Sequence, residues 1–176
     1  TALARLSPAE LRRCGLATYT TDVARALAKR FPEIRVDIWA MNDGGKSYAY
    51  PAHLAGTIEQ DDSASYLEAA RAITAGKADM VWIQHEFGIF GGENGDAILP
   101  LTSALDIPGV TTLHTVLARP SAAQRAVIGE ITHPKMPALF VPMMLGSIVR
   151  GQMHVPEGGT LALRDAVVRR FREVYE

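Results

Sequence analysis

Cysteine is almost absent, since Cys14 is the only one in 176 residues. That excludes an internal disulfide and any multi-cysteine metal site, and it suits a reducing compartment, so a cytoplasmic protein is expected. A single thiol with no base at a defined spacing reads as a small packing residue rather than a nucleophile. Long apolar runs are also missing. None approaches the roughly 18 residues that a membrane helix needs, so no membrane span is expected. The chain opens on Thr1 with no basic-then-apolar leader, which reads as a trimmed or excised piece. Neither charge dominates, because 18 Lys and Arg face 19 Asp and Glu for a net charge of −1. Without a basic field, nucleic acid is not an expected partner. Arg12 with Arg13, and Arg169 with Arg170 and Arg172, are far apart and read as solvated helix faces. What remains is a chain with 48% hydrophobic residues, enough for one sizeable core and too short for two full domains.

Hydrophobic periodicity divides the chain into alternating elements. Residues 34–39 (IRVDIW) alternate apolar and polar, whereas 80–83 (MVWI) form a continuous apolar run suited to a strand covered on both faces. Residues 110–113 (VTTL) and 139–141 (LFV) read as two further short strands bounded by Gly or Pro. Helical spacing appears over 22–30, 65–75, 96–105, 121–131 and 161–175. Ser65 with Glu68, and Ser121 with Gln124, have the capping-box spacing, and Thr160 can cap the last helix. Pro100 argues against an early start for the 96–105 helix. The amino terminus argues against a strand. Arg5 is costly in a sheet interior, 1–6 (TALARL) has no β-branched residue, and 7–10 (SPAE) spells a helix start. Strands alternating with helices imply crossover units, hence an α/β fold. The expected form is a single Rossmann-like, doubly wound and mostly parallel sheet with helices on both faces. Residues 1–159 are expected to form that domain, and 160–176 a terminal helix packed back on it.

In such folds ligands bind beyond the carboxyl ends of the strands, which directs attention to three loops. In 12–21 (RRCGLATYTT), Gly15 permits close backbone approach, and the helix that follows offers free N–H groups to a phosphate or hydroxyl; an ordinary helix start is the alternative. Residues 84–95 (QHEFGIFGGENG) combine His85, Glu86, two aromatics and four glycines, a costly composition for a plain connector. The alternative is a surface loop in which His85 and Glu86 satisfy each other or the backbone. In 114–120 (HTVLARP), His114 at a strand end can exchange a proton or bind an anion near neutral pH, or serve as a satisfied structural residue. Sharper motifs fail. His85 and Glu86 begin an HExxH zinc motif, but position 89 is Ile, so no metal is expected. Gly45, Lys46 and Ser47 imitate the end of a P-loop whose first glycine falls on Ala40. His53, His133 and His154 read as solvated.

Three stretches, RCGLATYTTDVARALAKRFP, DMVWIQHEFGIFGGENGD and GVTTLHTVLARPSAAQR, resemble the amino-terminal domain of retaining GT-B glycosyltransferases, the large family that includes bacterial mannosyl- and glucosyltransferases. The resemblance spans about residues 12–128. It implies half of a GT-B fold, with a nucleotide sugar such as a GDP- or UDP-hexose as donor substrate, a sugar acceptor and no cofactor or metal. It puts Gly15 near the donor diphosphate, and His85, Glu86, Phe87 and Thr115 in substrate binding. His114 becomes the cleft histidine near the reacting centre, with an orienting and electrostatic role. The family's second domain has no counterpart here. Glu157 and Asp165 have the spacing of that domain's glutamate pair, but without its sheet they read as coincidence. Hexosyl transfer is therefore expected to be weak or absent unless a homodimer or a complementing second domain completes the cleft. The competing expectation is a noncatalytic Rossmann-like binding or folding module: a truncated, ancestral or engineered half-enzyme. On the glycosyltransferase expectation, Gly15, His85 and His114 converge on one hollow at the sheet's rim.

Overall fold

The computed structural model describes residues 2–8, 15–44, 48, 50, 54–132 and 138–139, with 2–8 and 138–139 as backbone only. Cys14, Arg12, Arg13, the arginines at 169, 170 and 172, and His53, His133 and His154 lie outside the described residues. So do Gly45, Lys46, Ser47, Glu157, Asp165 and the expected helix over 161–175.

The protein is α/β. Its elements are β1 (Ala2–Pro8), α1 (Gly15–Arg30), β2 (Arg35–Asn42), β3 (Leu54–Glu59), α2 (Ser63–Ala75) and β4 (Met80–His85). A 3₁₀ segment (Glu93–Ile98) then leads into α3 (Leu99–Ala104), β5 (Gly109–Leu113), α4 (Ala122–Ile131) and β6 (Ala138–Leu139). The strands form one six-stranded sheet in the order β3-β2-β1-β4-β5-β6. Every pairing is parallel. Chain order reverses between β1 and β4, and it is at the carboxyl ends of strands beside such a reversal that α/β folds bind ligands.

The amino terminus departs from expectation. Residues 2–8 form β1, flanked by β2 and β4, with Leu6 in register with both Trp39 and Ile83. Pairing along both edges satisfies the backbone and outweighs a side-chain preference that is weak and context-dependent. Pro8 ends the strand, where a missing N–H costs the ladder least. β3 is a strand that periodicity missed. It lies at the sheet's edge, and its LAGTIE sequence alternates only partly buried positions up to Ile58.

β4 explains how the sheet sorts its side chains. Successive residues point to opposite faces, so Val81, Ile83 and His85 share one face, and Trp82 and Gln84 the other. Val81 and Ile83 join Tyr66 and Ile73 of α2, Leu101 of α3 and Ile128 and Ile131 of α4 in the main core cluster. On the opposite face the Trp82 indole donates to Thr112 Oγ1 at 2.7 Å. α1 packs against β1 and β2, burying Ala17, Thr20 and Thr21.

Helix starts follow local chemistry. At α4 the expected capping box is complete: Ser121 Oγ accepts from Gln124 N at 3.1 Å, and Ser121 N donates to Gln124 Oε1 at 2.8 Å. At α2 the cap is Asp62, whose carboxylate accepts from Ala64 N at 3.0 Å. Ser65 instead takes the N–H of Glu59 at 2.9 Å, tying the helix to the end of β3. Pro100 falls in the first turn of α3, where its missing donor leaves no helical bond unmade.

Candidate functional site

The carboxyl ends of β4 and β5 bring the second and third candidate loops together. Parallel register sets Gln84 beside Thr112 and His85 beside Leu113. One more main-chain bond, from His114 N to His85 O at 2.9 Å, extends the ladder past the end of β5. His114, two residues beyond Thr112, therefore rises on the Gln84 face. Its Nε2 lies 2.8 Å from Gln84 Oε1. Tyr19 of α1 meets the same imidazole edge-on, with ring centroids 5.1 Å apart and an interplanar angle of 82°. Next to this pair, Thr115 Oγ1 donates to Glu86 Oε2 at 2.5 Å, while Glu86 Oε1 accepts from Phe87 N at 3.2 Å.

His85 takes the other side. Alternation turns its ring towards the core cluster, where it is 0% exposed. Phe90 stacks on it at 5.8 Å between centroids, and Phe87 approaches edge-on at 5.0 Å. Neither ring nitrogen has a hydrogen-bond partner. Burial, and then the nearby His114, pull its pKa down from 6.5 to about 4, so the imidazole is neutral near pH 7.

The expected convergence is thus only partial. Glu86, His114 and Thr115 gather at one rim, whereas Phe87 packs edge-on against His85 and on the core cluster, and His85 and His114 point to opposite faces of the sheet. Strand alternation is the reason, because His85 follows Gln84 in the same extended run. Gly15 is the first residue of α1 and exposed, and among the described residues none outside its own helix comes within 4 Å of the point where a Cβ would stand. From its helix, Tyr19 rather than Gly15 reaches His114, and Leu16 packs on the core cluster that includes Ile89 and Phe90. Sequence reasoning missed Tyr19 and Gln84. The signal for Tyr19 was its place one helical turn after Gly15, and for Gln84 an amide closing the apolar run MVWI.

The glycine-rich loop also has a steric explanation. A Cβ on Gly91 would lie 2.0 Å from the Gln60 carbonyl oxygen and 2.8 Å from Asp61 Oδ1. Gly91 N donates to the Tyr66 hydroxyl at 3.1 Å, and that hydroxyl donates to Gln60 O at 2.9 Å. Gly92 has φ +79°, a region L side chains rarely adopt. The loop is fastened to the end of β3 rather than left as a pliable connector. A separate polar group lies at the ends of β2 and β3, where Asn42 Nδ2 donates to Glu59 Oε1 at 2.5 Å and the Tyr50 hydroxyl donates to Asn42 Oδ1.

Among the described residues, no three His, Cys, Asp or Glu side chains cluster as a metal site would require. No helix among them is long and apolar enough to cross a membrane.

No protein-family model matches the chain, and no curated protein matches it. Among solved structures, it is similar to a homoserine dehydrogenase of S. aureus, at 10% identity and a TM-score of 0.41. That match covers 79% of this chain and 32% of the dehydrogenase, so the chain spans about a third of that protein. A conserved protein from Enterococcus faecalis V583 is similar at 10% identity and a TM-score of 0.37, with 98% of each chain covered.

Proposed function

We propose that this chain is a Rossmann-like, doubly wound half of a retaining GT-B hexosyltransferase, binding a sugar acceptor, the diphosphate of a nucleotide sugar, or both. The supporting observation is that the three segments carrying the family resemblance interlock at one rim. Tyr19 touches His114, Gln84 bonds His114, and Glu86 bonds Thr115. The rim is the carboxyl edge of a parallel sheet beside a chain reversal, where α/β folds bind ligands. Glu86 and Thr115 supply hydroxyl-binding oxygens there and His114 an orienting imidazole, while half-buried Phe87 offers an apolar face on the His85 side. Gly15, exposed at the start of α1, offers its backbone to a phosphate. His85 supports this group from beneath. Transfer by this chain alone is weak or absent, because stabilisation of the departing diphosphate belongs to a second domain or a partner copy.

The burial of Gln84 and His85 at 0% and of His114 at 6% favours a second reading, a noncatalytic module that retains the architecture. Titration separates the two. With GDP- and UDP-hexoses followed by calorimetry and NMR, saturable binding is expected, with resonances of Tyr19, Glu86, His114 and Thr115 shifted. His114→Ala is expected to weaken it about tenfold, the loss of one good hydrogen bond. Absence of saturable binding by every hexose nucleotide and every free hexose would leave the noncatalytic reading.

A further inference from the structure

We infer that Gln84 is a positioning residue for His114: its amide carbonyl accepts from Nε2 and holds the ring as the Nε2–H tautomer, in one fixed orientation. Among the described residues, three contacts bear on that orientation. The main-chain bond from His114 N to His85 O fixes the backbone, Gln84 Oε1 at 2.8 Å fixes Nε2, and the Tyr19 edge contact limits ring rotation. The imidazole plane is therefore set from the backbone, from β4 and from α1 together.

The sequence makes a costly choice to obtain this. Gln84 follows an apolar run, is 0% exposed, and leaves its own Nε2 buried without an acceptor. A buried amide donor with no partner is destabilising, and a Leu at the same place would pack without that penalty. What Leu cannot do is accept from His114. A neutral imidazole carries its proton on one nitrogen only, so an acceptor at Nε2 makes Nδ1 the nitrogen with the lone pair. Gln84 thereby decides which nitrogen of His114 donates and which accepts, the property on which any orienting role depends. A carboxylate at position 84 would add charge where only an acceptor is needed. Among the described residues, the groups near His114 include Tyr19 from α1, Thr112 on β5, Glu86 beside its neighbour Thr115, and His85 across the sheet.

The inference rests on the proposed function only in taking His114 as the site residue. Its test needs no sugar, so failure of ligand binding and failure of this inference are distinguishable. The measurement is a long-range proton–nitrogen NMR spectrum of the uniformly ¹⁵N-labelled chain, with His114→Gln used to assign the ring. In the wild type, His114 is expected to show a single tautomer protonated at Nε2. In Gln84→Leu that pattern is expected to give way to an exchange average of both tautomers. In Gln84→Glu, close in shape to the natural residue, the proton affinity of His114 is expected to rise about tenfold or more through the adjacent carboxylate. An Nδ1-protonated ring in the wild type overturns the inference. So does an unchanged tautomer in Gln84→Leu, or a His114 titration in Gln84→Glu that superimposes on that of the wild type. Should Gln84→Leu fail to fold, the wild-type spectrum and the Gln84→Glu titration still decide the matter.

Discussion

The imidazole of His85 has two nitrogens able to form hydrogen bonds and, fully buried between Phe87 and Phe90, gives a partner to neither. Its pKa is about 4 when folded against 6.5 ordinarily, so between these values the unfolded chain binds the extra proton. Stability from this group is complete above pH 6.5 and declines as pH falls towards 4. Urea midpoints from pH 7 to 4 are expected to fall for the wild type and to run flatter for His85→Leu. At pH 7 the same substitution removes two unsatisfied polar atoms, and a stabilisation of about 1 to 3 kcal/mol is expected in the same urea series. The Tyr66 hydroxyl has the reverse character, since it satisfies the Gly91 N–H and itself donates to Gln60 O. Tyr66→Phe is expected to cost about 1 to 3 kcal/mol in thermal or urea unfolding, because the Gly91 donor is left buried without an acceptor. Residue identity made His85 and His114 visible as candidates in the sequence. Their opposite orientations depend on where the strand begins and ends, which composition does not specify.

Ser121 and Gln124 show a local rule surviving intact into the structure, since both halves of their capping box form. Ser121→Ala is expected to destabilise the protein by about 1 kcal/mol, measured by thermal unfolding. The equally good spacing of Ser65 and Glu68 was not used, because Asp62 caps α2 first and Ser65 is drawn to the backbone of Glu59. A spacing rule identifies the candidates, and competition among nearby acceptors selects between them. The glycines of 84–95 were legible as unusual but not as to cause. Gly91→Ala would push a methyl group into the Gln60 carbonyl, and a loss of about 1 to 3 kcal/mol is expected from strain of that kind, again by unfolding. β2 was readable from its alternation of apolar and polar residues, β4 from its continuous apolar run, and β5 from the Gly and Pro that bound it. β1 was not, since what makes it a strand is the two neighbours that arrive from 35–42 and 80–85.

The α/β alternation followed from periodicity, but the strand order did not, because nothing local states that 2–8 lies between β2 and β4. That order can be tested directly by hydrogen exchange. Amides of β1 and β4, paired along both edges, are expected to exchange slowest, and those of β3 at the edge markedly faster. Equal protection of β1 and β3 would contradict a central first strand. The meeting of the candidate loops was similarly legible only in outline. Parallel strands carry their carboxyl ends to one side, which brings 84–95 and 114–120 together, but the faces and the bond from Gln84 to His114 emerge only with the register. The register has one further effect. The chain's two tryptophans stand on opposite faces of the sheet, Trp39 packed on the main core cluster and Trp82 bonded to Thr112 on the Gln84 face. Each indole is a separate fluorophore for its own layer, so single-tryptophan variants can report optically, one layer at a time, which side of the sheet loosens first under denaturant.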